Sequence, residues 1–299
     1  MITSSAVVRV AIRLMRVLPA APVRWLARRV GELASVLAFR RRAIVMENLT
    51  WLAPVLSAGD RRRATRRTFA NMLSAAVDLW RLPSLRPGEL DALVGVEGRE
   101  HLEAAVAMGR GVIVVTAHLG PYELAGAWLA HQGYSVHAVV EELDPETSAA
   151  LALYREATGM TLIPRSAGIR PLMRLLRDKH LVILVADRVV GQGTDALEVS
   201  FGRGRRAIST GPAALALATG APIIVGVITT ARTTPPQYLV HVNRAIVVTG
   251  TGAHRPDRDT ITQRIGEELS AAAQAYPDQW FVFQPHWIRP SDASRSQGP

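Results

Sequence analysis

Two side chains in this sequence have the types and spacing for proton chemistry: His118 and Glu123, in the stretch TAHLGPYELAG. A histidine can take a proton from a hydroxyl, and a carboxylate on its other ring nitrogen fixes the tautomer and supports the positive charge that results. Along one continuous helix, a five-residue separation would leave the two side chains about 140° apart, on surfaces that do not face each other. Gly120 and Pro121 interrupt the chain between them and remove that objection. Proline fits the first position of a helix, where its missing N–H would have no partner anyway. Glu123 then falls in the first helical turn, where the unpaired N–H groups favour a carboxylate. A loop histidine can fold back toward it and turn its second nitrogen to a cleft. The alternative is a histidine satisfied structurally at the end of a strand.

A second polar cluster follows the apolar run LVILVA: Asp187 and Arg188 stand at its end, where α/β sheets assemble ligands. A structural Asp–Arg pair is the competing reading. Downstream, LEVSFGRGRRAISTGPAALALATGAP holds Glu198, Arg203, Arg205 and Arg206 ahead of a small-residue helix start at Gly211 and Pro212, whose N–H groups are potential donors to an anion. Arg165, after Ile163 and Pro164, is a further anion contact candidate, since a guanidinium grips phosphate in a planar, bidentate way that lysine does not reproduce. A serine nucleophile is disfavoured: AISTG has Ala207 where a nucleophile elbow needs glycine. Without a protein nucleophile, His118 could instead deprotonate the hydroxyl of a bound acceptor, which would attack an activated acyl group directly while N–H or arginine donors steady the oxyanion.

The elements that must position these residues alternate. The β-branched run from Val112 reads as a buried strand, followed by a helix over 123–132 and a strand over 136–140. A helix over 145–158, a strand over 161–163, a helix over 169–177 and the apolar strand 181–186 continue the order. A helix and strand over 213–229, an extended stretch over 238–248 and a long helix over 260–275 complete it. This repetition predicts an α/β fold with a mostly parallel central sheet flanked by helices. Residues 1–89 read as an N-terminal helical, membrane-proximal region with a long helix over 60–82; 90–289 read as the α/β body and 290–299 as a frayed tail, all as one integrated domain.

Composition narrows the function classes. The 299 residues carry a formal charge of +10 and no cysteine, which rules out disulfides and a cysteine nucleophile. All the basic residues but Lys179 are arginine, a chain-wide bias that weakens any argument from charge alone. A phosphate loop, a two-histidine zinc helix and a nucleic-acid recognition module are all missing, so neither a metal nor nucleic acid is expected. Arg9, Arg13 and Arg16 interleave with apolar residues at helical spacing, which fits either a basic amphipathic helix on an anionic membrane surface or a helix packed on the protein's own core. Charges recur too often there for a membrane span, and the T-G-A-P break divides the neutral stretch 210–231 into a helix and a strand.

His118 to Glu123 resembles the H-x4-D/E element of glycerolipid acyltransferases. The wider set, RRRAIVMENL at 40–49, LADR at 185–188, the block at 199–223 and YPDQWFVFQPHW at 276–287, resembles the bacterial lipid A biosynthesis lauroyl/myristoyl acyltransferase family and its actinobacterial relatives that acylate phosphatidylinositol mannosides. VSFG replaces the VPFFG often seen there, and the arginine- and alanine-rich tilt looks more like the actinobacterial branch. The resemblance implies a glycerolipid-acyltransferase-like fold with His118 as base, Glu123 as its orienting acid and Glu198 as an additional acidic site residue. It implies no cofactor, acyl-CoA or acyl-carrier protein as donor, a glycolipid acceptor, and a peripheral place on the cytoplasmic face of the plasma membrane. A hydrolase using the same pair and a noncatalytic lipid-binding scaffold are the competing accounts.

Overall fold

The computed structural model describes residues 18–85, 88–141, 158–189, 195–231, 235–248 and 255–288. The helix expected over 145–158 and the arginine stripe from Arg9 to Arg16 lie almost wholly or entirely outside these residues. Three helices open the described chain: α1 (Ala20–Leu37), α2 (Phe39–Leu52) and α3 (Ala58–Arg81). Ser57 starts α3 with a reciprocal cap, its hydroxyl accepting from the Asp60 N–H at 3.1 Å and donating to the Asp60 carboxylate at 2.6 Å. Gly31 lets α1 lie close on α3, because a Cβ there would stand 2.5 Å from the Phe69 carbonyl oxygen.

The body is a seven-stranded sheet in the order β1-β9-β8-β2-β5-β3-β4. Its strands are β1 (Val94–Glu97), β2 (Val112–Thr116), β3 (Val136–Val140), β4 (Thr161–Pro164), β5 (Leu181–Val185), β8 (Ile223–Thr230) and β9 (Tyr238–Val242). Neighbours are parallel except β8 and β9, so β1 and β9 run against the other five. The expected mostly parallel sheet is therefore present, with a reversed edge.

β2 is central and buried throughout, as its unbroken apolar sequence requires. Alternation along it feeds two cores. Ile113 and Val115 face a cluster with Leu172 and Leu176 of α7 (Ile169–Arg177), Leu215 and Ala216 of α8 (Gly211–Thr219), and Ile265 and Leu269 of α9 (Arg255–Ala275). Val112 and Val114 face Leu90 of the short helix α4 (Glu89–Leu93), Leu102 of α5 (Arg99–Ala107), and Leu124 and Trp128 of α6 (Tyr122–His131). Each such fully buried aliphatic side chain contributes about 1.5–3 kcal/mol.

The glycine-rich block differs from the expectation. Its first half is an antiparallel hairpin, β6 (Ala196–Phe201) and β7 (Gly204–Ser209), before α8 begins. Alternating burial explains it: Val199 and Phe201 are buried while Glu198 and Ser200 are exposed.

A charged knot ties the first helices to the sheet. The buried Asp78 of α3 accepts from Arg24 of α1 at 2.7–2.9 Å and from the Tyr238 hydroxyl of β9 at 2.5 Å. Burial, then the Asp78 charge, raises the Tyr238 pKa, so the phenol stays a donor. On its far side α1 presents Leu26, Val30, Leu33 and Leu37 at helical spacing, with Leu33 60% and Leu37 71% exposed, followed by exposed Phe39, Arg40, Arg41 and Arg42. Among the described residues no helix is long and apolar enough to cross a membrane.

Candidate active site

Strand register brings the two sequence clusters together. Thr116 of β2 pairs with Val185 of β5 in parallel, so His118 and Asp187 each sit two residues past the same end of the sheet. The pairing carries on through the Ala186 N–H to the Thr116 carbonyl at 2.9 Å. Beyond it the buried Asp187 carboxylate is 2.7 Å from His118 Nδ1 through Oδ1 and accepts from the His118 backbone N–H at 3.0 Å through Oδ2. Oδ2 also accepts from the Trp280 indole N–H at 2.8 Å.

The turn after His118 requires glycine. Gly120 has φ +61°, and a Cβ there would meet the Ile228 carbonyl oxygen at 2.1 Å. The C-terminal segment holds this turn from the other side: Phe281 N–H donates to the His118 carbonyl at 2.7 Å, and Gly120 N–H donates to the Gln279 carbonyl at 2.9 Å. α6 begins at Tyr122, one residue ahead of the expected range 123–132, with Pro121 as its cap residue instead of its first helical residue, and Glu123 falls in its first turn.

The electrostatics suit a base. Burial alone would lower the His118 pKa, but the charge and hydrogen bond of Asp187 outweigh it and leave the imidazole raised above 6.5. Burial would push the Asp187 carboxyl up, and the His118 contacts and the Trp280 N–H overcome it, holding it at about 2. A carboxylate that stays ionised on Nδ1 fixes that nitrogen as the protonated one, leaving Nε2 to accept a proton. His118 keeps 18% of its side chain exposed, whereas Asp187 has none, so one partner is reachable and the other is sealed.

The other expected residues divide. Glu123 is half-buried, and burial raises its pKa; its charge acts on His118, but the carboxylate bonded to Nδ1 is that of Asp187. Tyr122 packs edge-on to the His118 ring with centroids 5.3 Å apart. Arg188 follows Asp187 and pairs with Glu141 at 2.5 Å. Arg206 is fully buried and donates to the Asp187 carbonyl at 3.0 Å.

Three residues are not gathered around this pair. Glu198 lies on the exposed face of β6 and pairs with Arg205 at 3.4 Å; the two-residue alternation of the hairpin puts it opposite the buried face that carries Arg206. Arg203 is exposed at the hairpin turn, its N–H bonded to the Trp51 carbonyl at 2.9 Å. Arg165 is exposed in the turn that follows β4. Sequence reasoning did not assign a site role to Trp280, although a buried indole whose N–H needs an acceptor is a usable signal once an acidic strand end is known. Among the described residues no group of three or more potential metal ligands occurs.

The model of a family described as bacterial lipid A biosynthesis acyltransferase matches residues 2–289. A phosphatidylinositol mannoside acyltransferase of Mycobacterium tuberculosis (strain ATCC 25618 / H37Rv) is 29% identical over 230 residues, covering 73% of this chain and 68% of that one. One of Mycolicibacterium smegmatis (strain ATCC 700084 / mc(2)155) is 29% identical over 241 residues, covering 77% and 73%.

Proposed function

This chain belongs to the bacterial lipid A biosynthesis acyltransferase family, and from that membership we propose that it moves a long acyl chain from a thioester donor, acyl-CoA or acyl-carrier protein, to a hydroxyl of a glycolipid. The observation that carries the mechanism is the 2.7 Å contact between the His118 ring and the sealed Asp187 carboxylate. Nε2 takes the acceptor's hydroxyl proton as its oxygen attacks the thioester carbonyl. The tetrahedral intermediate collapses, the C–S bond breaks, and the imidazolium returns the proton to the thiolate. Asp187 holds the tautomer and supports the imidazolium. Glu123 adds negative charge from the first turn of α6, in keeping with its electrostatic effect on His118. No cofactor enters these steps.

The two mycobacterial relatives favour a phosphatidylinositol mannoside as acceptor. The exposed apolar stripe of α1, next to Arg40, Arg41 and Arg42, supports a peripheral position on an anionic membrane surface, where such an acceptor resides. We place that surface on the cytoplasmic side, where thioester donors occur.

Labelled palmitoyl-CoA, with and without purified phosphatidylinositol mannosides, tests the reading. Labelled glycolipid formed only with acceptor is the expected result. Free fatty acid released equally without acceptor would make the protein a hydrolase, and lipid binding without turnover would make it a scaffold.

A further inference from the structure

Arg206 has surroundings unlike those of a substrate ligand. It is fully buried on β7, and among the described residues its guanidinium makes one hydrogen bond, to the Asp187 carbonyl at 3.0 Å, while Nε and the other terminal nitrogen find no acceptor there. Aromatic faces take their place. The guanidinium carbon lies 4.7 Å from the Trp280 ring centroid, 5.0 Å from Trp287 and 5.6 Å from Phe201.

Trp280 works at both of its surfaces, since its face carries Arg206 while its indole N–H reaches the Asp187 carboxylate at 2.8 Å. A buried carboxylate without a countercharge is strongly disfavoured. While His118 is neutral, the hydrogen bonds to the Asp187 side chain among the described residues all come from neutral groups. The buried positive charge next to it is then Arg206, bound to the same residue's backbone.

We propose that Arg206 is a positioning residue that acts through Asp187: caged by Trp280, Trp287 and Phe201, it supplies a fixed buried cation that pins the Asp187 backbone and sets the charge balance of the His118–Asp187 pair. This rests on the acyl-transfer reading for its kinetic readout but not for its spectroscopic one. Burial lowers the Arg206 pKa to about 10, and the Asp187 charge partly offsets this, so the guanidinium remains charged at neutral pH. The charged or titratable groups that act on this centre are Tyr122 and Glu123 on α6, Arg188 after β5, Arg206 on β7, and His286 in the C-terminal segment.

The test compares wild type with Arg206→Met, Arg206→Lys and Trp280→Phe. The His118 ring is followed by NMR titration, and kcat and KM are measured against pH for both substrates. Removing the cation should make the imidazolium less repelled, so in Arg206→Met the His118 titration and the acidic limb of kcat/KM both move to higher pH by about half a unit or more. In the same variant kcat falls at least tenfold and both KM values stay within about twofold. Arg206→Lys keeps the charge and restores the titration, though not the full kcat. Trp280→Phe keeps a ring under the guanidinium and loses the N–H along with part of the indole's volume, so it gives a smaller upward shift and keeps the test open if Arg206→Met does not fold.

An unmoved His118 titration in folded Arg206→Met overturns the proposal. So does a rise in either KM with the limb unchanged, which would make Arg206 a substrate contact. If wild type transfers no acyl group at all, the functional reading fails, and the NMR titration alone decides the role of Arg206.

Discussion

Replacing Asp187 with asparagine probes the centre most directly, because the three contacts of the carboxylate make different demands on an amide. Oδ2 accepts two N–H groups, from the His118 backbone and from Trp280, while Oδ1 faces His118 Nδ1. Asparagine has one acceptor oxygen, and placing it at the Oδ2 position satisfies both fixed donors. The amide NH2 then faces Nδ1, which must become an acceptor, and the ring proton moves to Nε2. That tautomer cannot take a proton from an acceptor hydroxyl. A wrong tautomer combined with a lost countercharge costs on the order of 10³–10⁴ in kcat, or about 4–5.5 kcal/mol of barrier. The fold keeps its hydrogen bonds, so KM should change little. Single-turnover acyl transfer measures the loss, and nitrogen chemical shifts of the His118 ring report the tautomer. A kcat within tenfold of wild type, with the proton observed on Nε2, would refute the assignment of Asp187 as the group that orients the base.

Other outcomes follow from the same geometry. Because Asp187 raises the His118 pKa against burial and the neutral ring is the proposed base, kcat/KM should rise with pH through a limb above 6.5; a limb below that value counts against His118 as base. Glu123→Gln should lower kcat about 10- to 100-fold, well short of the Asp187→Asn loss, since Glu123 acts on His118 by charge and does not bond to Nδ1; equal losses would say otherwise. Asp78→Ala leaves Arg24 and Tyr238 without their buried acceptor and should cost about 3–5 kcal/mol in urea unfolding. Leu33→Ser with Leu37→Ser, both exposed, should leave stability unchanged yet weaken sedimentation with anionic vesicles about 100-fold, for about 3 kcal/mol of lost apolar burial.

The sequence makes legible whatever is local. The run 112–116 announces a central strand, Gly120 and Pro121 announce the turn, and the spacing of Glu123 puts it in the first turn of α6. The carboxylate that bonds to Nδ1 lies 69 residues away, and no pattern within either segment encodes that pairing. It depends on β5 lying beside β2, although chain order inserts β3 and β4 between them. The hairpin 196–209 is hidden for a different reason. Its glycines read as a loop, while the alternation of Leu197, Val199 and Phe201 is the strand signal that also places Glu198 outside. Arg206 is misleading by type, because an arginine in an arginine-rich chain suggests an anion contact and two of its three aromatic cage members come from one distant segment.

The segment from Gln279 to Trp287 has a temporal meaning as well as a spatial one. It supplies the Trp280 N–H to Asp187 and the Phe281 N–H to His118, and it anchors itself to Asn48 of α2 through the Val282 carbonyl at 2.8 Å and the Trp287 indole at 2.7 Å. A chain growing on the ribosome therefore carries His118, Glu123 and Asp187 well before the segment that bonds to His118 and Asp187 is made. The hydrogen bonds that hold His118 and Asp187 from this side come from a stretch some 160 residues downstream of the histidine, and the same stretch puts Trp280, Val282 and Trp287 into the main core. The proposed centre is thus completed by residues that are made after every strand of its sheet.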